Sequence, residues 1–114
     1  MWTYDKKLQY PVRIKNPNPT LASLIISQLG GPDGELAASM RYLHQRYSMP
    51  YREVTGILTD IGTEELAHLE MVAAILYQLT RSMTDDQIEA SPLRIVFCRS
   101  HQRHLSRCGK RCSA

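Results

Sequence analysis

Apolar residues show no fixed period over positions 1–19, where Pro11, Pro17 and Pro19 fall and Asn16-Pro17-Asn18-Pro19 forces extended backbone ahead of each ring. This predicts an extended N-terminal arm rather than a packed element. Thr20 is placed to cap a helix beginning at Leu21, where Leu21, Leu24, Ile25 and Leu29 recur at helical spacing until Gly30-Gly31-Pro32 ends it. Asp33 can cap a second helix from Gly34, with Leu36, Met40, Leu43 and Tyr47 as its buried stripe and an end near Met49. Pro50 suits the first position of a third helix, whose pattern continues to about Arg81. Gly56 and Gly62 weaken that helix by up to ~1 kcal/mol each relative to alanine, so packing must hold it.

The inward line of the third helix reads Val54, Leu58, Ile61, Glu65, His68, Val72, Ile75, Leu79, alternating steps of four and three. That is the seam of a left-handed helical bundle. Two positions on it are ionisable. Glu and His at i, i+3 share a helical face, and Glu-x-x-His pointing into a four-helix bundle is the half-motif of ferritin-like dinuclear carboxylate sites.

If the helices flanking Pro50 form an antiparallel hairpin, residues equidistant from it stand level, because both rise ~1.5 Å per residue. Glu35 is then level with Glu65, bringing two carboxylates and one imidazole to one layer. Glu35, Glu65 and His68 are donors that manganese and iron accept. On residue spacing alone the alternative stays open that the seam is wet and Glu35 with His68 forms an ion pair. Tyr42, two turns after Glu35 on the same face, can donate a supporting hydrogen bond to a ligand carboxylate or simply pack. Glu64 points off the seam and reads as solvated or ion-paired.

Leu8-Gln9-Tyr10-Pro11, Asn16-Pro17-Asn18-Pro19, Gly30-Gly31-Pro32-Asp33-Gly34-Glu35-Leu36-Ala37-Ala38, Met40-Arg41-Tyr42 and the run Ile57 to Met71, with its Thr-Glu-Glu-x-Ala-His-x-Glu-Met signature, resemble the manganese catalases. Within that family the likeness is nearest to the shorter spore coat J-C branch, and it covers roughly residues 5–81. It implies an all-α fold, a helical hairpin forming half of a ferritin-like four-helix bundle, to which the residue pattern adds an extended N-terminal arm and an irregular C-terminal tail. It also implies that Glu35, Glu65 and His68 bind a dimanganese centre, with iron as the alternative metal. The activity implied is disproportionation of hydrogen peroxide to water and oxygen, in a homo-oligomer, with other spore-coat proteins as further partners. The runner-up is a non-catalytic coat component or an inactive truncated relative.

The family's second helical pair, bearing further carboxylate and histidine ligands, is expected after Arg81, and no such pattern follows. The reading therefore divides the chain into an arm (1–19), a catalase-like helical region (20–81) and a divergent tail (82–114). Charge sharpens the last boundary. Residues 1–91 hold 8 basic and 11 acidic side chains, a balance of −3, whereas 92–114 hold six basic and no acidic ones. The overall charge of +3 thus belongs to the tail. The expectation for such a tail is a truncated or frame-shifted coding sequence. Cys98, His101, His104, Cys108 and Cys112 supply enough donors for zinc, although their spacing fits no usual cysteine pair. Nucleic acid is a weaker expectation than an unstructured basic segment.

The longest apolar run, Met71 to Tyr77, is seven residues, far below the ~20 of a membrane span. Met1 to Lys7 lack a signal-peptide core. Placement in the cytoplasm or spore coat is expected, with no membrane partner.

Overall fold

The computed structural model describes residue 3 and residues 7–95. Every regular element among them is helical: α1 (Pro19–Ile25), α2 (Ser27–Gly30), α3 (Glu35–Gln45), α4 (Arg52–Thr80), α5 (Asp85–Glu89) and a 3-10 turn, Pro92–Ile95. The chain divides into two compact units, with the boundary between Ser82 and Met83.

In the first unit α3 and α4 form the expected antiparallel hairpin, and α1 and α2 also pack on α4. Ser39 against Gly62, Arg46 against Thr59 and Glu35 against Glu65 mark its register. The helices approach closely at Gly62. A Cβ there would lie 2.8 Å from Leu43 Cγ and 3.2 Å from its backbone nitrogen. Buried Ser39 donates a 2.6 Å hydrogen bond to the Gly62 carbonyl across this contact.

Several local expectations are corrected. Asn18, not Thr20, caps α1, accepting from the Leu21 amide at 3.0 Å, because Pro19 then takes the first helical position. Gly34, not Asp33, precedes α3, and no side chain caps it. The helix ends at Gln45 rather than near Met49. Pro50 lies in the connection, and α4 starts at Arg52. The stripe assigned to α3 is mostly open: Leu36 is 41%, Met40 63% and Tyr47 77% exposed. A single hairpin covers only one side of each helix, so residues that a four-helix bundle would bury face outward.

The N-terminal arm is extended yet held. The Gln78 side chain takes the part of a neighbouring strand, accepting from the Ile14 amide at 2.6 Å and donating to the Val12 carbonyl at 2.7 Å. The Asn18 amide donates to the Leu79 carbonyl at 2.9 Å, and Arg81 donates to the Lys15 carbonyl. A segment with no apolar period is thereby fastened along the last two turns of α4 through its backbone.

In the second unit a capping box starts α5: the Thr84 hydroxyl accepts from the Gln87 amide while the Gln87 side chain accepts from the Thr84 amide. Ile88 and Leu93 are its buried apolar residues. With the 3-10 turn Pro92–Ile95 this gives two short regular elements within a stretch whose composition predicts irregular backbone. The cysteine and histidine group from Cys98 onward lies outside the described residues.

Candidate metal centre

Glu35 is the first residue of α3, while Glu65 and His68 are separated by one turn near the middle of α4. One donor atom from each lies within 4.8 Å of the other two. His68 Nδ1 is 2.8 Å from Glu65 Oε2 and 3.7 Å from Glu35 Oε2. Side-chain exposure is 16% for Glu65, 25% for Glu35 and 36% for His68, so the group is partly sheltered and still open to solvent.

The two carboxyls are hydrogen-bonded and shift in opposite directions. Burial raises the Glu35 pKa above the ordinary 4.5, and the hydrogen bond and charge of Glu65 raise it further, against the pull of His68. For Glu65 burial also acts upward, but hydrogen bonds from Glu35 and His68 outweigh it and hold this carboxyl below the ordinary value. Two acids in one layer are thus driven apart in acidity.

The donor set suits a hard or borderline divalent cation. Two carboxylate oxygens and an imidazole nitrogen match manganese and iron. Their mutual spacing is comparable with the ~4–5 Å across a single ion with bonds of about 2.0–2.6 Å. Among the described residues this is the single group of three or more potential ligands brought together. Tyr42, on α3, makes no side-chain hydrogen bond to the group among the described residues. Glu64, expected off the seam, nevertheless has Oε1 3.8 Å from His68 Nε2 and also accepts a 2.9 Å bond from Gln9. Its i, i+4 spacing to His68 was the available signal; the involvement of Gln9 depends on the course of the arm, which no periodicity reveals.

A long helix carrying Glu-x-x-His, paired at one level with a glutamate on an antiparallel helix, is the arrangement of one half of a ferritin-like bundle. The sequence profile described as "Manganese containing catalase" matches residues 1–100, past residue 81 where the resemblance in the residues ended, and the chain belongs to that family. Protein CotJC of Bacillus subtilis (strain 168) is 58% identical over 93 residues, covering 82% of this chain and 49% of CotJC. A probable manganese catalase of Clostridium acetobutylicum is 41% identical over 75 residues, covering 64% of this chain and 33% of that protein. The crystal structure of wild-type KatB, a manganese catalase from Anabaena, superposes with a TM-score of 0.73 at 29% identity, over 83% of this chain and 44% of that one. The chain therefore spans about half the length of CotJC and a third of that Clostridium protein.

Proposed function

We propose that Glu35, Glu65 and His68 are manganese ligands, and that two hairpins, each supplying this set, enclose a dimanganese centre that disproportionates hydrogen peroxide to water and oxygen. The observation that carries the reading is the meeting of three suitable donors from two helices at one level of the hairpin. A pair of manganese ions, when bound, exchanges two electrons with peroxide and so avoids releasing radicals. Glu65, the most sheltered of the three, would be the bridging or terminal carboxylate, Glu35 a terminal ligand, and His68 a terminal imidazole. Iron is the alternative metal. Tyr42 would support a carboxylate ligand once α3 is closed in by a second hairpin.

A ferritin-like bundle is itself two hairpins face to face, so a two-fold dimer of this one would complete it. Exposed Leu36 and Met40 on α3, Tyr47 in the turn that follows it, and Ile57 and Ile61 on α4 supply apolar surface for that contact. The chain would then act as a homo-oligomer. Manganese content, light-scattering mass and oxygen evolution from peroxide test this on the purified chain. Metal uptake with turnover, both lost in Glu35→Gln/His68→Ala, is the expected result. A metal-free monomer without turnover overturns it.

The identity to CotJC, 58% against 41% to the Clostridium catalase, favours a second reading as a non-catalytic component of a spore coat. In that case assembly persists in the double variant, while wild type consumes peroxide only at background. Cytoplasm and coat are the corresponding locations. No described helix is long and apolar enough to cross a membrane.

A further inference from the structure

His68 presents its two ring nitrogens to different carboxyls. Nδ1 faces Glu65 and Glu35, and Nε2 faces Glu64. A ring nitrogen bound to a metal carries no proton, so a neutral imidazole then keeps its proton on the other nitrogen, and that N–H needs an acceptor. Glu64 stands one helical turn before His68, with Oε1 3.8 Å from Nε2. Half of its side chain is exposed, which leaves room to close the remaining ångström to a charge-assisted hydrogen bond.

The hold on Glu64 is specific. Gln9 Nε2, 55 positions away in the chain, donates to the same Oε1 at 2.9 Å. A glutamine fixes a carboxylate without neutralising its charge, as a lysine would, so Glu64 keeps its strength as an acceptor. We propose that Glu64, held by Gln9, is a positioning residue for His68: it accepts the Nε2 proton and so reserves Nδ1 for the metal. This rests on the metal-centre reading above. It makes the N-terminal segment part of the support of the site.

The test uses the full chain labelled with 15N-histidine and loaded with Zn2+ as a diamagnetic probe. NMR then reports which nitrogen of His68 is bound, its signal being identified by its loss in His68→Ala. Electron paramagnetic resonance of free Mn2+ gives affinity, and circular dichroism verifies the fold of each variant. Wild type should show one state, with Nδ1 bound and Nε2 protonated. Glu64→Ala should weaken Mn2+ binding about 10–100-fold and divide His68 between two ring-nitrogen states. Glu64→Gln, whose amide oxygen still accepts, should restore the single state, and Gln9→Ala should produce a smaller loss of affinity. If Glu64→Ala keeps wild-type affinity and ring state, or if Glu64→Gln fails to restore the state that Glu64→Ala loses, the positioning role is overturned while the metal centre stands. A wild-type chain that takes up neither ion overturns the metal centre and this role with it.

Discussion

The hydroxyl of Ser39 donates to the carbonyl of Gly62 at 2.6 Å, where α3 and α4 pack closely enough that a Cβ on Gly62 would meet Leu43. This contact lies about one turn from the metal-ligand layer on each side: Ser39 follows Glu35 by four residues and Gly62 precedes Glu65 by three. The helix separation fixed here therefore sets how closely the carboxyls can meet.

The two glycines of α4 should respond oppositely to alanine. At Gly56 nothing lies within 4 Å of a new Cβ, so Gly56→Ala should stabilise by about 0.5–1 kcal/mol through helix propensity. At Gly62 the Cβ would meet Leu43 at 2.8 Å, and Gly62→Ala should destabilise by about 1–3 kcal/mol by forcing the helices apart. Urea denaturation followed by circular dichroism separates them, and equal effects would refute the close approach.

Ser39→Ala removes the donor at this crossing, while the Gly62 carbonyl keeps its own helical partner. A loss of about 0.5–1.5 kcal/mol is expected, below that of leaving a buried group unpaired. A neutral result in the same denaturation experiment would show that the bond contributes nothing net.

Gln78→Ala should free the N-terminal arm, with a loss of about 1–3 kcal/mol for two hydrogen bonds and accelerated hydrogen exchange at the Ile14 amide. Gln78→Glu keeps the acceptor for Ile14 but turns a carboxylate toward the Val12 carbonyl, so at neutral pH it should rescue little. Unchanged exchange at Ile14 in both variants would refute the anchoring.

The carboxyl pair gives the metal-free chain a pH signature. Because the folded Glu35 pKa is raised, its contribution is fully present below the unfolded value of about 4.5 and fades as pH rises through the folded value. Glu65 is lowered, so its contribution is present above the unfolded value and fades as pH falls through its own folded one. Glu35→Gln keeps a neutral donor toward Glu65 at every pH. Its Tm relative to wild type should therefore rise between pH 4 and pH 7, and a falling difference would assign the retained proton elsewhere.

Much of this arrangement is legible in the residues because an α-helix has one rise and one period. Equal counting from the connection placed Glu35 level with Glu65, and the alternation of fours and threes placed His68 on the same face. A two-residue difference in where α4 starts leaves this level unchanged, since a ligand layer is about a turn thick. Periodicity reports a face that is apolar, though, and not whether a partner covers it, so Leu36, Met40 and Tyr47 read as buried and are exposed. It is also blind to Gln78 and Gln9, whose importance comes from long-range bonds to backbone and to Glu64. Gly56 and Gly62 look alike in sequence and differ only because Leu43 stands against one of them.

Gly34 turns the corner into α3, and a Cβ there would fall 2.7 Å from the Ser27 carbonyl oxygen and 2.8 Å from that of Gln28. Both obstacles are main-chain atoms, which cannot swing aside. Glu35 is the very next residue, so the aim of a proposed ligand depends on a neighbour that has no side chain of its own. A saturation library at position 34 should consequently return glycine alone among well-folded clones, marking a site of intolerance that inventories of chemically active groups would pass over.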